Sequence, residues 1–186
     1  MKILNGLILI NPKIHNDNRG KFYEVWNKKT FSKLGINDSF VQDNFSFSKN
    51  KGTFRGLHYQ KPPHSQAKLI WCSKGSIIDY VVDIRKNSKT YGKVYNIKVT
   101  SKNRIQIFIP VGFLHGFITL EDNTEVNYKV SKFYNPRSEQ TINYNDKILS
   151  LKIPKSINKI VLSKKDINGI SFKDLKSPYK IKFKWK

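Results

Sequence analysis

The sequence predicts an all-β fold of antiparallel strands, either closed into a barrel or layered as two sheets. Apolar and polar side chains alternate with a period of two from Phe40 to Tyr144, in runs rich in β-branched and aromatic residues. Glycine and asparagine break these runs at short intervals, as turns between short strands require. Helical periodicity is scarce across the 186 residues.

Taken in order, a short helix is expected at 27–34, ended by Gly35. Strands follow at 67–72, 77–84, 94–99, 105–109, 117–120 and 124–130. The turn signals between them fall at 73–75, 87–88, 101–103, 110–112 and 121–123. After Ser163 the tail has room for one further helical turn. No internal repeat, low-complexity linker or composition shift divides the chain, so one domain over residues 1–186 is expected. Such a strand set hides its edges by closure or by pairing two sheets, which makes a cupin-like jelly-roll β-barrel with a few short helices the expected architecture. In that geometry every second residue faces inward, and Asp79 and Asp83, four apart in an apolar run, share one face.

Composition narrows the function classes. The formal net charge is +22. Most of the basic residues are lysines scattered through every segment, with neither an arginine-rich stripe nor a nucleic-acid motif, so the charge reads as a solvated surface and not as a nucleic-acid footprint. A positive field still favours an anionic substrate such as a pyrophosphate. The Ile/Leu run after Lys2 is broken by Asn5, Gly6 and Pro12, which disfavours a signal peptide, and no apolar stretch approaches the ~20 residues that span a bilayer. The lone Cys72 fits a reducing compartment, and a cytoplasmic address is expected.

Chemistry-bearing residues cluster in a few stretches. Phe54-Arg-Gly-Leu-His-Tyr-Gln60 brings Arg55, His58 and Gln60 beside a glycine, and Lys68 opens the next strand. Ile109-Pro-Val-Gly-Phe-Leu-His-Gly-Phe117 adds His115 between glycine and aromatic residues. No His-x-His pair with a third carboxylate is readable, so no metal site is expected. A Gly-rich phosphate loop and a Gly-x-Ser-x-Gly elbow are also lacking, which disfavours phosphoryl transfer and serine hydrolysis. Taken singly, His58 reads as a hydrogen-bonded strand histidine, Tyr128 as a core tyrosine and Asp166 as a turn residue. His15 and His64 lie in loop contexts and receive no role.

The ordered series changes that reading. The two motifs above, with Lys68-Leu69, Val82-Asp-Ile-Arg85 and Asn127-Tyr-Lys129, resemble the dTDP-4-dehydrorhamnose 3,5-epimerases. Asp17-Asn-Arg-Gly20, Phe40-Val-Gln-Asp-Asn44, Asn143-Tyr-Asn-Asp146 and Leu162-Ser-Lys-Lys-Asp166 fall in the same order, so the resemblance spans roughly residues 5–175. It implies a homodimeric cupin barrel, without cofactor or metal, that inverts carbons 3 and 5 of a dTDP-4-keto-6-deoxy sugar for deoxysugar and polysaccharide biosynthesis.

By the same resemblance His58 is the base, Asp166 its orienting carboxylate, Tyr128 the acid on the opposite face and Lys68 the cation at the enolate oxygen. Arg55 and His115 line the sugar pocket, with Asp79 in support. Phe133 stacks on the thymine. Arg19, Glu24, Gln42, Asp43, Asn44, Glu139 and Lys165 bind the nucleotide and its pyrophosphate, some of them from the partner subunit. Departures from the family pattern include Tyr144 and Ile153 at packing positions and a Lys61-Pro-Pro-His-Ser65 loop beside the catalytic strand. Relatives that invert one centre only, 3,4-ketoisomerases on the same scaffold, and a non-enzymatic basic sugar- or nucleic-acid-binding cupin are the competing readings.

Overall fold

The strands of the computed structural model, which describes residues 2–4 and 6–181, run in chain order as β1 (Lys2–Leu4), β2 (Leu7–Ile10), β3 (His15–Asp17), β4 (Gly20–Phe22), β5 (Gln42–Ser48), β6 (Phe54–Gln60), β7 (Lys68–Lys74), β8 (Ser76–Asp83), β9 (Val94–Thr100), β10 (Gln106–Ile109), β11 (Phe113–Thr119), β12 (Thr124–Val130) and β13 (Glu139–Thr141). Two short α-helices, α1 (Lys28–Ser32) and α2 (Lys164–Ile167), and one 3₁₀ turn (Phe172–Asp174) complete the elements. One sheet has the order β1-β2-β10-β7-β12-β5, the other β13-β6-β11-β8-β9, and β3-β4 form a separate hairpin. The pairings between these strands are antiparallel.

The two large sheets face one another across an apolar core. Ile70, Cys72, Ile107 and Val126 of the first meet Ile77, Val81, Val99 and Phe117 of the second. The outer face of the second sheet is covered by the chain after Thr141, through Ile142, Leu149, Phe172 and Leu175. Its central strands β8 and β11 are therefore buried on both faces, and they read in sequence as nearly continuous apolar runs. Phe31 and Ile36 cover the first sheet from outside, against Leu69 and Phe108. No helix among the described residues is long and apolar enough to cross a membrane.

The all-β jelly-roll expectation holds, and the differences are local. β11 begins at Phe113, whereas the reading above placed a strand at 117–120; His115-Gly116 looks like a break in sequence, but all seven residues of the strand are buried between β6 and β8. Helix α1 falls where expected, with the Asn27 side chain accepting from the Thr30 N–H at 3.1 Å. Asp79 and Asp83 are both fully buried on the inward parity of β8, but they serve different partners. Asp83 accepts from Arg85, Ser88 and Thr90, while Asp79 meets His115.

Candidate active site

Two glycines bring the histidines together. A Cβ on Gly56, at φ +132°, would lie 2.5 Å from Gly116 Cα, and one on Gly116 would lie 2.7 Å from the Arg55 carbonyl oxygen. Only side-chain-free residues permit β6 and β11 to approach this closely. The register pairs His58 with His115, and the irregularity between His115 and Phe117 re-aims the strand beside them. Both imidazoles then face a cavity of about 780 Å³ at one end of the barrel.

His58 Nε2 lies 2.6 Å from Asp166 Oδ1. Asp166 arrives from α2, 108 residues later in the chain, and is buried. Its other oxygen accepts from the Ser163 hydroxyl at 2.7 Å, and the same hydroxyl oxygen caps α2 by accepting from the Asp166 N–H. Burial opposes ionisation of Asp166, but the hydrogen bonds from His58 and Ser163 outweigh it and hold the carboxyl below its ordinary range. An ionised Asp166 accepts only, so Nε2 carries the proton and Nδ1 is the nitrogen left with a lone pair. Glu139 Oε1 is 3.9 Å from that Nδ1, beyond hydrogen-bond reach.

Lys68 reaches the same space from β7. Burial pulls its ammonium down to about 8, partly offset by the negative charges of Glu139 and Asp79. Tyr128, on the adjacent β12, has its phenol pushed up by burial, with Arg55 acting in the opposite sense. Arg55 is held by Ser48 Oγ at 3.2 Å and the Phe47 carbonyl at 3.0 Å. His115 gives Nε2 to Asp79 Oδ2 at 2.8 Å; burial lowers its pKa against the pull of Asp79, so its neutral form is favoured. The other oxygen of Asp79 is buried with no hydrogen-bond partner among the described residues.

The mouth is framed by a second polar group. Glu139 Oε2 accepts from Tyr134 Oη at 2.9 Å and from Lys165 Nζ at 2.8 Å. Burial raises the Glu139 pKa, and Lys165, His58 and Tyr134 together reverse that and bring it below the ordinary value. Gln42 and Asn44 also line the cavity and are joined to each other at 2.8 Å.

Of the residues singled out in the sequence, His58, Tyr128, Asp166, Lys68, Gln42, Asn44, Arg55, His115, Glu139 and Lys165 share this cavity, and Asp79 stands behind His115. Four others do not line it. Arg19 lies on the β3–β4 connection, exposed and paired with Asp17 at 2.7 Å. Glu24 accepts from Asn27 and Thr30 at the start of α1. Asp43, also on β5, does not line the cavity and pairs with Lys129. Phe133 is 67% exposed, and within its segment the aromatic that lines the cavity is the neighbouring Tyr134. Tyr134 is held there by donating to Glu139, an acceptor that a tyrosine can use and a phenylalanine cannot. Ser163 was missed as well; its place as N-cap three residues before Asp166 was legible.

The architecture is a cupin jelly roll, and the groups gathered at its mouth are those of acid–base chemistry. The chain belongs to the dTDP-4-dehydrorhamnose 3,5-epimerase family, whose model matches residues 2–174. It is 43% identical over 169 residues to the dTDP-4-dehydrorhamnose 3,5-epimerase of Shigella flexneri, covering 90% of this chain and 92% of that one. The dTDP-6-deoxy-D-glucose-3,5-epimerase of Legionella pneumophila Philadelphia 1, solved in complex with dTDP-4-keto-L-rhamnose, superposes with a TM-score of 0.92 at 37% identity, over 98% of this chain and 97% of that one. The Bacillus anthracis str. Ames enzyme, solved with TDP and PPi bound, gives 0.86 at 41% identity over 89% and 93%.

Proposed function

We propose that this protein inverts carbons 3 and 5 of dTDP-4-keto-6-deoxy-D-glucose to give dTDP-4-keto-L-rhamnose. The observation that carries the proposal is the His58 imidazole, tied to Asp166 at Nε2 and open at Nδ1 within one cavity shared with Lys68 and Tyr128. The ketone at carbon 4 acidifies the hydrogens on both neighbouring carbons, so a modest base suffices once the enolate oxygen is stabilised. His58 Nδ1 takes the proton, and Asp166 stabilises the imidazolium that forms. Lys68 supplies positive charge to the enolate oxygen. Tyr128 returns a proton to the opposite face; solvent then takes the proton from His58 and restores that of Tyr128, and the sequence repeats at the second carbon.

Arg55 and His115 contact the sugar, and Tyr134 offers the aromatic face for the base. Lys165, Gln42 and Asn44 take the nucleotide end. Arg19, Glu24 and Asp43 fit the reading in a homodimer, in which a second copy brings its hairpin to this mouth. Exposed Phe22 on that hairpin and Phe45 and Phe47 on edge strand β5 supply apolar surface for such a contact. A cytoplasmic address and a place in surface-polysaccharide biosynthesis belong to the same reading.

The test is incubation with dTDP-4-keto-6-deoxyglucose in deuterated water, followed by NMR of the sugar. Deuterium is expected at both carbons together with the rhamno product. No exchange at either carbon sinks the proposal, and exchange at one alone makes the protein a mono-epimerase.

A further inference from the structure

Gln60 ends β6 two residues after His58 and is only 4% exposed, yet the reaction just described gives it no task. Its side chain is fully employed elsewhere. Nε2 donates to the His64 carbonyl at 2.6 Å and to the Phe133 carbonyl at 3.3 Å, while Oε1 accepts from the Asn135 N–H at 2.6 Å. Residues 133 and 135 flank Tyr134, whose own N–H donates to Gln42 Oε1 at 3.1 Å. Three successive backbone groups around the mouth aromatic thus end on two glutamine side chains.

The loop beside Gln60 is laced to the same segment. Asn135 Oδ1 accepts from the N–H groups of Arg137 at 3.0 Å and Ser138 at 3.2 Å, which only an oxygen can do. Nδ2 is therefore the Asn135 atom 3.1 Å from His64 Nε2, and it donates there. His64 is thereby a neutral acceptor at Nε2, with its proton on Nδ1. The Lys61 N–H also donates to the Ser138 carbonyl at 2.8 Å.

We infer that Gln60 is a positioning residue that, with His64 as an outer latch, clamps loop 61–66 to loop 131–138 so that the Tyr134 ring stands fixed at the mouth to receive the base of a nucleoside diphosphate. The inference rests on the nucleotide-sugar reading above. A ring already held in place costs the ligand no ordering on binding, so the clamp acts on affinity and leaves proton transfer at His58 untouched. One strand then carries both functions, His58 for the chemistry and Gln60 for the grip.

Gln60→Glu tests this, because the carboxylate still accepts from Asn135 but sets an oxygen against two carbonyls. Titration calorimetry with dTDP and steady-state turnover are measured on the full chain. The Kd for dTDP and the KM are expected to rise about tenfold, the scale of one lost hydrogen bond, with kcat within about twofold. In the double variant with Tyr134→Ala, dTDP binds no more weakly than in Tyr134→Ala alone, as coupled residues require. Unchanged dTDP affinity, loss of kcat at constant KM, or additive losses overturn the inference. Should Gln60→Glu fail to fold, His64→Ala is expected to weaken dTDP about threefold, and His64→Gln, which keeps an acceptor, to restore it; no change in His64→Ala is equally fatal. Wild-type protein that does not bind dTDP overturns the nucleotide reading itself, whereas binding that Gln60→Glu and His64→Ala leave unmoved overturns only the clamp.

Discussion

His58 and His115 are cross-strand partners on β6 and β11, and each gives its Nε2 to a carboxylate, Asp166 at 2.6 Å and Asp79 at 2.8 Å. The two pairs differ in what surrounds them. Asp79 is fully buried and lies on the strand adjacent to His115, whereas Asp166 comes from a helix beyond the barrel and is itself held by Ser163. His58→Asn is expected to lower deuterium exchange at both carbons by at least ~100-fold, the scale of a lost general base. Calorimetric affinity for dTDP stays within about threefold, because no nucleotide contact is assigned to His58.

Tyr128 should separate proton removal from inversion. In Tyr128→Phe the base still operates, so solvent deuterium continues to enter the sugar. Net formation of the inverted product falls by about 100-fold for want of the opposite-face donor. NMR in deuterated water reads both quantities in one sample, and parallel loss of exchange and product would place Tyr128 elsewhere in the mechanism.

Lys68 gives a pH signature in two directions. Its ammonium titrates at about 8 in the fold against an ordinary 10.5, so turnover is expected to fall as pH rises through about 8 and the enolate loses its cation. Between those two values the unfolded chain binds more protons than the folded one, so this residue's contribution to stability increases with pH across the window. The cost of holding the charged lysine is fully present below pH 8, at most about 3 kcal/mol. Lys68→Met should therefore melt higher than wild type at pH 7 while losing exchange; a lower melting temperature would contradict the burial argument.

The glycine contact makes a stability prediction. Gly116→Ala places a methyl 2.7 Å from a backbone carbonyl that cannot retreat without breaking the β6–β11 pairing. A loss of roughly 2–3 kcal/mol is expected from overpacking, measured by urea denaturation, with activity falling further because His115 is the adjacent residue.

Much of the barrel was legible because strand alternation and turn residues are local properties. The expected strand at 124–130 matches β12 to the residue, and Asn27 capped the helix it was expected to begin. β11 was cut short because His115-Gly116 resembles a break in sequence, and only the neighbouring strand β6 shows that Gly116 serves close approach. At the site, most of the residues proposed from motif order converge on one cavity, which no single-residue reading gave. What the sequence hid was sidedness: whether Phe133 or Tyr134 turns inward depends on hydrogen bonds from Gln60 and Gln42, contributed by strands far away in the chain.

The span between His58 and Asp166 bears on how the molecule comes into being on the ribosome. Every strand described here is complete by Thr141, so a nascent or prematurely ended chain that stops short of Ser163 holds all the pieces of both sheets and presents its imidazole without a carboxylate. The His58–Asp166 pair therefore forms only after synthesis has passed every strand and reached α2. A proteolytic cut in the covering tail that frees α2 is expected to abolish deuterium exchange into the sugar while leaving the strands of the barrel uncut.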